Sequence, residues 1–349
     1  MAFTVTVKSS GQTNGQTFEV EKNESILDAG LRQKIPFPYG CRGGGCGACK
    51  GKVVSGNYEY ENRPGGLRAE DEAAGYALFC QAIPTSDLVL EANLISPEAD
   101  IPIRKYGSKL LKINKLASDV MQLRLRLPDS QRLQFLPGQY IDIVLNDGKR
   151  RSFSLARAPH DNGLLELHVR RVEDGFYTNY VFETLEEKAI MRIEGPFGTF
   201  TVDTESDNPL IMIAGGTGFA PVKSILEHLF AENNSRDIVF YWGARHKESL
   251  YMNELVEKWV EKYPNFSYVP VLSEALDEDQ WQGRSGFVHD AVSSDINDFS
   301  RYDIYACGPP LMIDAAKAEF DKKGLVAGQF YSDAFTFTEE DGSKKTADC

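Results

Sequence analysis

The spacing of four cysteines near the start of the chain limits its possible fold more than any other feature. Three of them stand as C-x4-C-x2-C in a segment with glycines at 43, 44, 45 and 47, and the fourth follows well behind them. This is the plant-type spacing for a 2Fe–2S cluster, in which four thiolates hold two irons. Glycines let the backbone wrap closely around such a cluster and direct N–H groups at its sulfurs. The predicted ligands are Cys41, Cys46, Cys49 and Cys80.

The same cysteines have two other interpretations, a structural zinc site and unrelated buried thiols. Zinc sites usually combine two short pairs of Cys or His, whereas Cys80 has no second ligand near it in the sequence. The cluster is therefore the favoured interpretation. The remaining cysteines, Cys307 and Cys349, lie outside this set, and Cys349 falls in a polar tail.

The length of 349 residues predicts two or three domains. The segment 93–105 contains Ser96-Pro97 and Ile101-Pro102 and shows little periodicity, which is typical of a linker. We expect three domains, over residues 1–98, 103–203 and 204–349.

The formal net charge of −13 argues against binding to nucleic acid or to an anionic membrane, because both require a basic surface. A protein partner attracted by charge would be basic. The first residues alternate like a strand and lack the basic and apolar regions of a signal peptide, and the sequence has no apolar run long enough to span a membrane. These features predict a cytoplasmic protein that does not bind membranes.

Periodicity changes twice along the chain. Residues 3–8 and 17–22 alternate as a hairpin, and Ser25 is placed to cap a short helix over 26–33. Between 110 and 202 the pattern is many short strands with Gly and Pro turns, which indicates an antiparallel barrel. From residue 209 strands alternate with helices, which indicates a parallel, doubly wound sheet.

The run Arg151-Ser152-Phe153-Ser154 begins a predicted strand and, taken alone, fits an ordinary basic strand end. It resembles the R-x-[YF]-S fingerprint of the ferredoxin–NADP reductase superfamily. The resemblance implies that Arg151 contacts the flavin pyrophosphate, that Phe153 stacks on the isoalloxazine and that Ser154 lies near the flavin N5. Gly175 and Thr178 match the later G-x-x-[ST] turn of that family, which implies support for the phosphates.

A buried strand leads into the second glycine-rich turn, which opens a helix and so suits a diphosphate. This turn and a later C-G-P-P run resemble motifs of the same superfamily, in which the cysteine faces the nicotinamide. The alternative for Cys307 is a buried structural thiol. The resemblance also implies that an aromatic residue near the end, Phe335, covers the second face of the flavin. The implied nucleotide-binding residues are Gly215, Gly216, Thr217, Gly218, Pro221, Cys307, Gly308 and Pro309.

The whole chain resembles the reductase components of bacterial oxygenases such as phenol hydroxylase and benzoate dioxygenase, and above all the CDP-6-deoxy-glucoseen reductase group. The segments that carry this likeness are 138–142, 215–224, 241–243, 286–289 and 331–335. The resemblance implies an α+β ferredoxin (β-grasp) domain, an antiparallel β-barrel flavin domain and an α/β doubly wound nicotinamide domain. It also implies an NAD(P)H oxidoreductase that uses FAD and a 2Fe–2S cluster, with Ser154, Cys307 and Phe335 at the reacting centre.

In the implied reaction NADH gives hydride to the flavin, and single electrons then pass through the cluster to a dehydratase or oxygenase component. A redox-sensing module remains an alternative, although we find no output domain. The turn 243–247 is basic and no acidic ribose partner is evident, so we expect NADH, with NADPH possible. A basic acceptor could be steered by acidic residues of the ferredoxin domain, which are otherwise a solvated face: Glu59, Glu61, Glu70, Asp71 and Glu72.

Overall fold

The computed structural model describes residues 2–8, 15–33, 35–39, 42–45, 47, 49–92, 94, 101–160 and 164–335. Two compact units divide the chain. The first comprises the residues up to Asp100 together with Asp333–Thr336, and the second includes Ile101–Ser332. Two six-stranded sheets lie largely in the second unit. The three domain ranges drawn from the sequence stay a prediction.

The first unit is built on one five-stranded sheet with the order β2-β1-β7-β3-β5, and β4 and β6 form a separate ribbon. β1 pairs parallel with β7 and antiparallel with β2. The elements are β1 (Phe3–Lys8), β2 (Gln16–Val20), α1 (Ile26–Arg32), β3 (Lys50–Ser55), β4 (Tyr58–Glu59), α2 (Ala69–Ala73), β5 (Tyr76–Leu78), β6 (Ile83–Pro84) and β7 (Leu88–Glu91).

The predicted first helix is present as α1. The Ser25 hydroxyl accepts a hydrogen bond of 3.1 Å from the Asp28 N–H, which satisfies one of the free donors at the helix start. Most of the predicted turn between β1 and β2 lies outside the described residues, whereas the two strands pair from Phe3 with Val20 onward.

Six antiparallel strands in the order β11-β10-β13-β8-β9-β12 make the next sheet. A further bridge between Leu155 and Leu167 joins its two edges, so the sheet closes as the predicted barrel. Its core is aliphatic, with Leu123, Leu125 and Ile193 fully buried. The elements are β8 (Arg104–Ala117), β9 (Val120–Arg126), β10 (Tyr140–Val144), β11 (Arg150–Ser154), β12 (Leu164–Arg170), α3 (Phe176–Glu183) and β13 (Ile190–Phe197).

The last sheet has the order β17-β16-β15-β14-β18-β19, with parallel pairing from β17 to β18. Residues 210–214 of the central strand β14 are fully buried, as expected where helices cover a parallel sheet. The elements are β14 (Leu210–Gly215), α4 (Phe219–Ala231), β15 (Ile238–Ala244), α5 (Asn253–Lys262), β16 (Phe266–Leu272), β17 (Arg284–Ser285), α6 (Val288–Asp295), β18 (Asp303–Gly308), α7 (Pro310–Asp321) and β19 (Phe330–Ala334).

The linker predicted over 93–105 is wrong at its carboxyl end, because Arg104 already begins the long strand β8. The second X-Pro pair itself ends at Pro102, before the strand begins, so only the last two residues of the predicted linker are affected. None of the helices within the described ranges is both long and apolar enough to cross a bilayer.

Candidate functional site

The end of the first sheet brings two of the four predicted cluster ligands together. Cys49 directly precedes β3, and Cys80 follows β5. These strands pair at Lys50 and Leu78, and the Phe79 N–H donates to the carbonyl of Cys49 at 3.1 Å. Both thiols are buried and neither forms a disulfide. Cys41 and Cys46 lie outside the described residues.

The loop that carries the first cysteines is tied to the Cys80 segment by one amide. Gln81 Nε2 donates to the carbonyl of Arg42 at 3.0 Å and to that of Cys80 at 2.9 Å. Backbone also packs on backbone nearby, since a Cβ on Gly66 would lie 2.4 Å from the Gly45 carbonyl oxygen. Two buried thiols beside a close-packed glycine loop fit a 2Fe–2S cluster.

The predicted flavin residues lie on β11, the edge strand that pairs with β10. Arg151 and Phe153 are half-buried and share one face of the strand, whereas Ser154 is buried on the other. The Phe153 ring centroid lies 5.7 Å from that of Tyr177. The Tyr177 hydroxyl is buried, with no hydrogen-bond partner among the described residues, and burial raises its pKa. An aromatic face beside an unsatisfied buried hydroxyl fits a flat polar ring system such as a flavin.

The predicted phosphate turn leads into α3. Gly175 is the N-cap residue of that helix, and the Thr178 hydroxyl accepts from the Val172 N–H at 3.1 Å. A Cβ on Gly175 would lie 2.6 Å from the Thr178 hydroxyl oxygen. Thr178 therefore closes the turn itself, and its contact with phosphate stays a prediction.

The glycine turn after β14 packs against the end of β18. A Cβ on Gly218 would lie 2.1 Å from the carbonyl oxygen of Cys307, and one on Gly215 would lie 2.8 Å from the Pro309 ring. Gly308 has a φ of +154° where it passes Gly215. The structure thus brings the two nucleotide motifs together at the carboxyl edge of the sheet, where ligands of such sheets bind.

Three further predicted site residues can be placed, each within its own unit. The Cys307 side chain is fully buried, and Pro221 is buried in the first turn of α4. Phe335 is half-buried directly after β19. The assignment of Cys307 and Phe335 to the reacting centre stays a prediction.

Two charged residues at the nucleotide edge were missed from the sequence. Arg170 ends β12, and its Nη1 atom lies 3.4 Å from the position that a Cβ on Gly216 would take. Glu274 follows β16, and its N–H donates to the carbonyl of Arg245 at 3.0 Å. The only sequence signal was a charged residue at or just beyond the end of a strand. That signal is not sufficient, because the order of strands in the sheet decides which of these charged residues become neighbours.

Paired buried thiols, a flavin-type strand and a dinucleotide turn in one chain define an iron–sulfur flavoprotein oxidoreductase. Models of three protein families match the chain in that order. They are the 2Fe-2S iron-sulfur cluster binding domain over 7–85, the oxidoreductase FAD-binding domain over 108–202 and the oxidoreductase NAD-binding domain over 212–318.

Relatives align over nearly the whole chain. The CDP-6-deoxy-L-threo-D-glycero-4-hexulose-3-dehydrase reductase of Yersinia pestis is 42% identical over 92% of this chain and 96% of its own. The reductase component of phenol 2-monooxygenase from Pseudomonas sp. strain CF600 is 35% identical over 99% and 98%. The chain belongs to this family of dehydrase and oxygenase reductases. It is an NAD(P)H oxidoreductase whose cofactors are a 2Fe–2S cluster, FAD and a nicotinamide nucleotide.

Solved structures agree with this assignment. The Amycolatopsis cytochrome P450 reductase GcoB is 31% identical, with a TM-score of 0.76 over 95% of this chain and 98% of that one. A ferredoxin reductase of carbazole 1,9a-dioxygenase is 27% identical, with a TM-score of 0.68 over 96% and 99%. The predicted fold class is confirmed.

Replacing Gln81 with Met removes its two side-chain hydrogen bonds, one to the carbonyl of Arg42 and one to that of Cys80. We expect the first unit to lose about 1–3 kcal/mol of stability and the cluster to be removed faster by an iron chelator. The measurement is the decay of iron–sulfur absorbance under chelator, with thermal unfolding alongside.

Gln33→Met is the matched control, because Gln33 Nε2 also donates to two carbonyls, those of Glu19 and Ala29, but not next to a cysteine. It should lower stability without accelerating iron loss. Equal rates of iron loss in the two variants would contradict a role for Gln81 in holding the cluster loop.

Replacing Gly218 with Ala places a methyl group against the Cys307 carbonyl. We expect about 1–3 kcal/mol of destabilisation from overpacking and at least about tenfold weaker NAD⁺ binding, measured by calorimetry. Gly107→Ala is the control, because a Cβ there meets nothing within 4 Å. Unchanged NAD⁺ affinity in Gly218→Ala would show that this contact does not shape the site.

Proposed function

We propose that this reductase delivers electrons to a dehydrase that acts on a CDP-linked deoxy sugar. Passage of electrons from NADH through FAD and the 2Fe–2S cluster to a partner enzyme follows from the family. The dehydrase as partner is supported by the order of identities, 42% to the dehydrase reductases against 35% to the phenol 2-monooxygenase component.

Different residues of the chain bind the nucleotide, the flavin and the cluster. Gly215–Gly218 and the start of α4 bind the diphosphate of the nucleotide, while Arg151 and Phe153 hold the flavin. Cys49 and Cys80, with the two earlier cysteines, hold the cluster. When bound, these groups supply hydride donation, conversion of an electron pair into single electrons and one-electron delivery.

The acceptor is proposed to dock on an acidic surface of the first unit. Of the five acidic residues noted in the sequence, two are used internally, since Asp71 pairs with Lys50 at 3.1 Å and Glu72 pairs with Arg63 at 2.9 Å. Glu59, Glu61 and Glu70 remain exposed. They form a smaller surface than the sequence suggested, and it favours a basic partner whose association slows at high salt.

Glu274 is the proposed partner of the nucleotide ribose, an acidic group that the sequence did not reveal. Gly215 of β14 lies opposite Gly243 of β15, and Arg245 and Glu274 follow the ends of β15 and β16. The Arg245 Nε atom lies 3.7 Å from Glu274 Oε1, and both side chains are about half exposed. A carboxylate here accepts a hydrogen bond from a ribose 2′-hydroxyl and repels a 2′-phosphate, which supports NADH as the donor.

A cytoplasmic location stays a prediction from the sequence. The redox-sensing alternative finds no support in the relatives, whose names describe reductases and electron-transfer components of enzymes.

The proposed acceptor is tested by reconstitution. NADH consumption by the purified reductase is followed with the Yersinia dehydrase and its CDP-sugar, and separately with phenol hydroxylase and phenol. We expect sugar-dependent NADH consumption with the dehydrase that slows as salt is added. Substrate-dependent consumption with phenol hydroxylase alone would assign this chain to the oxygenases and contradict the proposal.

Replacing Glu274 with Gln removes the like charge that a 2′-phosphate would meet. We expect kcat/KM for NADPH to rise by about 5- to 30-fold, and that for NADH to fall, as a change of about 1–2 kcal/mol implies. Glu278→Gln is the control, because it makes the same charge change in the same exposed segment. It should leave the ratio of kcat/KM for NADPH to that for NADH unchanged. An unaltered preference in Glu274→Gln would place the discrimination elsewhere.

A further inference from the structure

A group of buried polar side chains in the second unit takes no part in the site described so far. Glu166 and His168 lie on β12 of the barrel, Lys223 lies on α4, and Tyr251 precedes α5. We call these four residues the buried cluster. The first three are each no more than 5% exposed. Charged side chains are rarely buried to this degree unless they are paired.

Two hydrogen bonds and one ion pair connect the four members. Glu166 Oε1 lies 3.0 Å from His168 Nε2 and 3.5 Å from Lys223 Nζ, and His168 Nδ1 lies 3.0 Å from the Tyr251 hydroxyl. Burial opposes a charge on Glu166, but the His168 hydrogen bond and the Lys223 charge together lower its pKa to about 2. Burial also lowers the pKa of His168. A neutral imidazole therefore donates to Glu166 and accepts from Tyr251.

The buried cluster holds the chain just beyond the flavin strand. Lys223 Nζ donates to the carbonyl of Ala156 at 2.9 Å, and the neighbouring Ser224 hydroxyl donates to the carbonyl of Arg157 at 2.8 Å. Ala156 follows Ser154, the end of β11, by two residues. Both donors stand in the helix that the nucleotide turn opens.

The same cluster reaches the nucleotide turn through aromatic rings. The His168 ring stacks on Phe219, the first residue of α4, with centroids 6.4 Å apart. Phe219 stacks on Trp242 at 4.1 Å, and Trp242 Nε1 donates to the carbonyl of Gly216 at 3.0 Å. A continuous set of contacts thus joins the end of β11 to the glycine turn.

We propose that Lys223 is a positioning residue for hydride transfer, which fixes the end of the flavin strand relative to the nucleotide turn. A buried ion pair gives little net stability over apolar packing, because both charges lose their hydration. It fixes the direction of the Lys223 side chain, because the ammonium lies 2.8 Å from Glu227 on its own helix and must also meet Glu166 and the Ala156 carbonyl of the barrel. Hydride transfer is sensitive to displacements of about 1 Å, so such a device affects rate more than binding. The inference rests on the reductase activity of the family.

The test replaces Lys223 with Met, whose unbranched side chain is one atom shorter and has no donor. We expect the limiting rate of flavin reduction at saturating NADH to fall by about 10- to 100-fold, while the dissociation constant for NAD⁺ stays within about threefold. Hydrogen exchange of the loaded protein should quicken at the amides of Leu155 and Ala156, which are bonded to the carbonyls of Gln139 and Glu166. A merely structural role would lower stability without this separation of rate from binding.

Arg236→Met is the matched control. Arg236 is also buried and donates to two carbonyls, those of Asp203 and Ser206, but it lies near Asp303, at the amino ends of the strands. We expect lower stability with an unchanged limiting rate. A folded Lys223→Met with a native limiting rate overturns the proposal, and so does an equal loss of rate in Arg236→Met.

Lys223→Arg keeps the positive charge but changes the positions of the hydrogen-bond donors. It provides the test if Lys223→Met does not fold. It should bind NAD⁺ normally and reduce flavin at a rate below that of the native protein. A native rate in this variant also contradicts the proposal.

Discussion

The close approach of Gly218 to the Cys307 carbonyl is the contact on which the nucleotide half of the molecule depends. β14 and β18 pair parallel, with Ala214 opposite Cys307, so the turn that follows β14 must pass directly over the end of β18. Only a residue without a Cβ fits there. This contact sets where α4 begins, and α4 in turn carries the side chains that reach the flavin strand.

Two sets of contacts connect α4 to the barrel that carries the flavin strand. Lys223 and Ser224 hold the backbone after β11, and Phe219 links His168 to Trp242. The end of the flavin strand and the glycine turn are therefore held to each other through buried groups. In the first unit one side chain also joins two segments of a site, because Gln81 hydrogen-bonds to the carbonyls of both Arg42 and Cys80.

Much of this organisation could be predicted from the sequence because glycine and cysteine carry geometric information by themselves. The spacing of the cysteines, the turn at Gly215–Gly218 and the run after Cys307 predicted the cofactors and the fold class, and the family models and relatives confirm them. Ser25 likewise marked the start of α1 correctly.

The residues that were missed have roles set by tertiary neighbours. Glu274 stands far along the chain from the glycine turn, and only the order β16-β15-β14 brings their strand ends to the same edge. Lys223 lies inside the segment 215–224 that carried the family likeness, but its pairing with Glu166 depends on a barrel strand that its own sequence does not reveal. The linker was placed too far along the chain because proline pairs mark a break without fixing where the next strand starts.

In the reductase, electrons are expected to enter at the flavin and to reach the cluster afterwards. Anaerobic stopped-flow mixing of the loaded protein with NADH, with flavin and iron–sulfur absorbance recorded together, tests this claim most directly when Cys80→Ser is run beside the native chain. We expect flavin absorbance to fall first and cluster absorbance second. Folded Cys80→Ser, without the cluster spectrum, should still reduce its flavin at a rate close to native. Cluster reduction ahead of the flavin, or loss of flavin reduction in the folded variant, would contradict it.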